Sequence, residues 1–298
     1  MSKKTKTLLF LLSISFFLFL SYFVVLYAYG YKLDFRKFEW VETGTFLVKA
    51  NTDGAKVYLN GRYLSKTSFI SNVLVKKNLL PDRYSLRIEK ENHYALAKEF
   101  EIKSGQVSQL VHLYLPREQE IKEFISTREQ LSRENEELVY FIAKGDGLLY
   151  RKPADSERET EEEPLSSEPV LIKAFKIKAL NGDIYLVSSD ARAPGVFLLT
   201  NEKWQSIYSR PANDVVFSPD KKKLAVVGQN EITVVWQKED DEPPYFKKGH
   251  QELVLRIGQK ISDVFWFKTN WHLIYLTDSG ETNFIEIDPT AGRNDLVI

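Results

Sequence analysis

The residues best suited to chemistry in this 298-residue chain are four histidines, His93, His112, His250 and His272, and 41 aspartates and glutamates. A histidine metal site needs ligands converging on one point, most economically as His-x-x-His or His-Glu-x-x-His on a helix. None of the four stands in such a pair. They read as turn and surface residues, and strand alternation puts His112 on a polar face beside Tyr114. No Gly-x-Ser-x-Gly elbow, P-loop or Gly-x-Gly-x-x-Gly fingerprint occurs, so the signatures of activated serine and of phosphate cradling are missing. The densest carboxylates, Glu159, Glu161, Glu162 and Glu163, lie in an acidic stretch over 155–168 without the Asp-x-Asp-x-Asp-Gly alternation of a calcium loop. That stretch has too few apolar residues to build a core and reads as a solvated loop. Paired acids of the glycosidase kind meet only through the fold. The expectation is a protein that is not an enzyme, with no catalytic, cofactor-binding or metal residues, no cofactor, and a binding site the sequence leaves unknown. Trp204, Trp266 and Trp271 are the candidate ligand contacts where exposed, although tryptophan is usually a core residue.

Lysine plus arginine equals aspartate plus glutamate at 41 each, so the basic footprint of nucleic-acid binding is missing and no nucleic-acid partner is expected. The absence of cysteine removes disulfides and thiol chemistry together.

Whatever function exists must be carried by the elements. From Leu8 to Tyr29 runs an uncharged, apolar stretch interrupted only by Ser13, Ser15 and Ser21, which as a helix reaches about 33 Å and matches a bilayer core. It is longer than a signal-peptide apolar region, and Tyr27, Tyr29 and Tyr31 follow it instead of a small-residue cleavage site. The reading is a single membrane anchor: residues 1–30 as tail and span, then a juxtamembrane stretch over 31–43. Lys3, Lys4 and Lys6 are nearly balanced by Lys32, Arg36 and Lys37, so charge alone barely favours an inside N-terminus.

Residues 44–115 show strand alternation throughout. Asn60-Gly61 between apolar runs is a type I′ hairpin signal. Tyr84, Leu86 and Ile88 alternate with polar residues, as Val111, Leu113 and Leu115 do around His112 and Tyr114. A β-sandwich follows. The segment resembles the PEGA domain family, carried by Thr52-Asp53-Gly54-Ala55 in place of the name-giving tetrapeptide, by Leu79-Leu80-Pro81-Asp82-Arg83-Tyr84, and by the corner Lys90-Glu91-Asn92-His93-Tyr94. Thr52-Asp53 replaces Pro-Glu and Asn92-His93 replaces a glycine. The resemblance implies a small cell-surface sandwich outside the cytoplasm.

A charged linker over 116–137, with partial helix, leads to repeats over 138–298. Asp214-Val215-Val216-Phe217-Ser218-Pro219-Asp220 and its following strands recur 49 positions on at Asp263-Val264-Phe265-Trp266, with weaker copies at Tyr140-Phe141-Ile142 and Ile184-Tyr185-Leu186-Val187. They resemble TolB-like or WD40-like β-propeller blades, at a count too low for closure. Asn294 to Ile298 reads as the opening of another strand. The whole is expected to be mainly β: an N-terminal transmembrane helix, a PEGA-like sandwich and a partial propeller. What it implies is a single-pass cell-membrane protein, the membrane and an envelope protein or glycan as its partners, with an oligomer as one route to closure, and a binding or scaffolding role. The alternative is an envelope enzyme or sensor subunit with a carboxylate site on the propeller.

Overall fold

The computed structural model describes residues 3–131, 138–153, 164–172, 175–180 and 182–298. They are mainly β and divide into two compact units, Met1–Arg117 with Thr290–Gly292, and Glu118–Pro289 with Arg293–Ile298. The most acidic part of the loop expected over 155–168 lies outside the described residues.

In the first unit, helix α1 (Lys3–Ala28) is long and apolar enough to cross a membrane. Its serines do not interrupt it, because Ser13 and Ser21 each donate their hydroxyl to the carbonyl four residues back, Leu9 and Phe17. Gly30, with a left-handed φ of 86°, ends the helix by donating its N–H to Tyr27. The juxtamembrane stretch then folds as a hairpin, β1 (Tyr31–Asp34) and β2 (Glu39–Glu42), for which its sequence carries no turn signal. Thr43 returns to the helix end, donating both its N–H and its hydroxyl to the Gly30 carbonyl at 2.8 and 2.6 Å.

The sandwich comprises β3 (Gly44–Ala50), β4 (Lys56–Leu59), β5 (Arg62–Lys66), β6 (Val73–Leu79), β7 (Asp82–Glu89), β8 (Leu96–Ile102) and β9 (Val107–Leu113). One sheet has the order β5-β4-β7-β8; the other is β6-β3-β9, with β3 and β9 parallel. Asn60 and Gly61 both hold positive φ in the β4–β5 turn, as the hairpin signal requires. Leu86 and Ile88 face the core with Phe46, Val48, Val57 and Phe100, while Tyr84 is half-buried against them. The alternation fails in β9. Val48 pairs with Leu110 but Ala50 pairs with Leu113, so β9 carries an extra residue there. The bulge turns His112 inward, and it is buried rather than on the polar face.

The second unit opens with α2 (Glu118–Leu131), so the charged linker is largely helical. Glu118 and Glu120 in the first turn complement the helix dipole, and Ile121 is buried while Phe124 meets Phe267 edge-on. A two-stranded ribbon follows, β10 (Leu138–Ile142) with β11 (Leu149–Pro153). Then come three antiparallel meanders of four strands each. The first is β12 (Phe175–Leu180), β13 (Asp183–Ser188), β14 (Gly195–Thr200) and β15 (Lys203–Tyr208). The second is β16 (Asp214–Phe217), β17 (Lys223–Val227), β18 (Glu231–Trp236) and β19 (Gln251–Arg256). The third is β20 (Ile261–Trp266), β21 (His272–Thr277), β22 (Thr282–Glu286) and β23 (Asp295–Val297). The pairing of third with fourth strand shifts register in both of the first two sheets, at Val196/Phe197 and at Ile232/Thr233. Residues 295–297 form the strand expected at the end of the sequence, and it pairs with β22 to complete the third sheet. Cores lie between the sheets: Tyr185, Val215 and Leu224 between the first and second, and Trp236, Trp266, Trp271 and Leu273 between the second and third.

Candidate functional site

The three meanders stack through their first strands, since β12 touches β16 and β16 touches β20. Polar residues that recur on these strands therefore meet. Lys176 and Lys178 alternate on β12, so they share a face, and Asp214 opens β16 beside them. Lys178 Nζ pairs with Asp214 Oδ1, and Lys176 Nζ lies 3.5 Å from Oδ2, so each carboxylate oxygen has its own lysine. Asp214 Oδ1 also accepts the Val215 N–H at 2.6 Å. In the next sheet Asp263, the counterpart of Asp214, accepts the Val264 N–H at 2.8 Å. Asp263 is exposed as a residue, yet its carboxyl is crowded by its surroundings. Desolvation holds it above the ordinary aspartate range, and the nearby Asp214 charge adds to this, while the Val264 N–H and the two lysines oppose it. The row can present one lysine-held carboxylate and one that ionises less readily to a ligand arriving over the first strands. The sequence signal for it is an aspartate at the same place in two apolar repeats, Asp214 and Asp263.

The Ser-Pro-Asp turn of the second sheet serves packing. Ser218 Oγ donates to Asp220 and accepts the Lys223 N–H, which directs Lys223 inward. Its ammonium lies 2.8 Å from Asp240 and 4.3 Å from the Trp271 ring centre, and Trp236 Nε1 donates to the same carboxylate. Of the tryptophans singled out as contacts, Trp266 and Trp271 are therefore core residues, the first donating its Nε1–H to Val216 O at 2.8 Å. Trp204 is half-buried, with its indole N–H enclosed and without an acceptor.

The histidines are not uniformly surface residues. His272 is buried, 2.7 Å from Thr269 Oγ1 and stacked on Phe284. His250 stacks on Phe246 with ring centres 4.1 Å apart. His93 sits in a turn, its Nδ1 2.7 Å from the Glu91 carbonyl. Among the described residues no three histidines or carboxylates converge as a metal-holding group.

In the sandwich the two motifs that carried the family resemblance are tied together. Lys90 Nζ reaches Thr52 Oγ1, the Asp53 carbonyl at 3.0 Å and Asp53 Oδ1 at 3.1 Å. Thr67 Oγ1 donates to Thr52 O and accepts from Ala55 N, sealing the turn from the other side. Asn92 stands where the family has glycine and adopts a φ of 59°, a conformation asparagine tolerates better than most residues. An open cleft of about 660 Å³ lies beside this corner, lined by Lys56, Lys66, Lys90 and His93 among others.

Residues 43–118 match the PEGA domain, and with the sandwich geometry this segment is a PEGA domain carrying Asp53 and Asn92 in its signature turns. No curated protein matches the chain in sequence. Among solved structures, the crystal structure of human WBSCR16 is similar over 87% of this chain and 84% of that one, at 10% identity and a TM-score of 0.29. So distant a likeness says nothing of fold or role.

Proposed function

We propose that the chain is a single-pass membrane-anchored envelope protein that holds its PEGA domain and a propeller-like array outside the cytoplasm to bind or scaffold an envelope protein or glycan, without turning it over. The observation that carries this reading is the direct joint between α1 and the PEGA domain at Gly30 and Thr43, which puts a surface-type sandwich at the mouth of an apolar helix. The three meanders, stacked through their first strands, are the blades of the array in this reading. An oligomer is one way for such an array to close.

A second reading, an envelope enzyme or sensor subunit with a carboxylate site, draws on one observation: Asp214 and Asp263 adjoin on neighbouring first strands in unlike electrostatic settings. One experiment separates the two. Full-length protein in detergent is offered to envelope protein extract and to purified envelope glycans. Retention of a protein or glycan that is recovered unchanged supports binding. Conversion of a glycan that disappears in Asp263→Asn supports the second reading and overturns the first.

A further inference from the structure

We propose that the β1–β2 hairpin is a second membrane contact, lying in the headgroup layer beside the end of α1. The inference rests on the reading that α1 spans the bilayer. Between Tyr31 and Glu42 the hairpin carries Tyr31, Phe35, Phe38 and Trp40, interleaved with Lys32, Arg36 and Lys37. Aromatic rings with lysine and arginine among them are the composition of a membrane interface, where the ring sits at the headgroup level and the cation reaches phosphate.

The geometry sets the depth. Trp40 packs on Phe23 with ring centres 5.5 Å apart. Phe23 lies five residues before the end of α1 at Ala28, or about 7 Å along the axis at the helical rise. The Trp40 ring thus reaches back to the last turns of α1, where the headgroup layer meets the acyl chains and interfacial aromatic rings settle. Tyr27, on the same final turns, accepts a hydrogen bond from Asn78 at 3.2 Å.

The turn is built, not loose. Asp34 is buried, and its carbonyl accepts the N–H groups of Lys37 and Phe38 at 3.2 and 2.7 Å. Its Oδ1 accepts the Arg36 N–H at 2.9 Å, and Arg36 Nη1 continues to Asp82 Oδ2 at 2.9 Å, fastening the hairpin to β7. This scaffold holds Phe38 at a φ of 55°, a left-handed backbone that is an outlier for a bulky aromatic residue. It leaves Phe35 and Phe38 exposed at 73% and 80%. A strained turn that presents two phenylalanines outward, next to a helix end, fits lipid as the missing neighbour.

Phe69 supplies the contrast. It is 85% exposed, but it precedes Val73 at the end of β6 opposite to Leu79, which pairs with Gly44 next to the helix joint. At the strand rise, β6 separates the two ends by about 20 Å.

Because the chain has no cysteine, single substitutions place unique nitroxides. Full-length Phe38→Cys, Phe69→Cys and Phe17→Cys are spin-labelled in lipid nanodiscs, and collision with oxygen and with a water-soluble nickel chelate is measured. The proposal expects the label at 38 to shift to a severalfold higher oxygen-to-nickel ratio than the label at 69, with the label at 17 higher still. A label at 38 that matches 69 while 17 remains in the hydrocarbon overturns the hairpin contact alone. A label at 17 exposed to nickel overturns the spanning reading itself. Shielding of 38 from nickel without any gain in oxygen marks burial against protein and also overturns the proposal.

Discussion

Lys223 and Asp240 form an ion pair at 2.8 Å whose side chains are only 1% and 5% exposed, walled by Trp236 and Trp271 at the junction of the second and third meanders. Charges so far from water persist only when each has a partner. The short Ser218–Lys223 turn makes that pairing possible by fixing the lysine backbone before the side chain enters the core.

Removing Asp240 leaves Lys223 with only the more distant carboxylate of Asp220. Asp240→Ala is expected to destabilise the second unit by less than the roughly 3–5 kcal/mol of a buried charge left alone, because Asp220 stays 3.8 Å from the Lys223 ammonium. Lys223→Met with Asp240→Leu together is expected to cost much less than the single change. Chemical denaturation followed by tryptophan fluorescence reads both, since Trp236 and Trp271 line the pair. Equal losses for single and double variants would show that the pair does not act as a unit.

Asp295 in β23 accepts a hydrogen bond from Tyr275 Oη at 2.8 Å. Asp295 is exposed as a residue, but crowding of its carboxyl by the surroundings raises it above the ordinary range, the tyrosine opposing the shift only in part. A folded value above the unfolded one means that ionisation disfavours the fold, so its protonation adds stability as pH falls through the raised value. Asp295→Asn, which keeps an acceptor for Tyr275 without the charge, should therefore be more stable than the parent at neutral pH. The advantage should shrink as pH falls through the raised value. Urea titrations of both proteins across that range test the sign, and an asparagine variant less stable at neutral pH would contradict it.

At the PEGA corner, Lys90→Met removes the tie to Thr52 and Asp53. Its side chain is 31% exposed and that of Asp53 41%, so solvent screens the pair. The expected loss is about 1 kcal/mol or less, seen as a small fall in the thermal midpoint. A collapse of the domain would show that the corner nucleates the sandwich rather than trimming it.

How much of this was legible in the sequence varies with the range of the interaction. Asn60-Gly61 and the Leu86/Ile88 alternation express local backbone and period-two rules, and the structure follows them. His112 escaped because a single extra residue in β9 reverses the face, and bulges have no fixed residue signature. The β1–β2 hairpin escaped because its turn, Asp34 to Phe38, uses a phenylalanine in a left-handed conformation where the rules look for glycine or asparagine. Asp214 and Asp263 were visible as repeated letters, but their proximity arises only when first strands of successive sheets adjoin.

In the proposed function α1 crosses the bilayer once and leaves the PEGA domain on the outer side. The most direct test uses the cysteine-free background. Ser2→Cys and Phe69→Cys are each expressed in full-length protein, and intact protoplasts are treated with a membrane-impermeant maleimide before and after detergent. Cys at position 69 is expected to react at once and Cys at position 2 only after lysis. Labelling of position 2 in intact protoplasts, with position 69 protected until detergent is added, would contradict it.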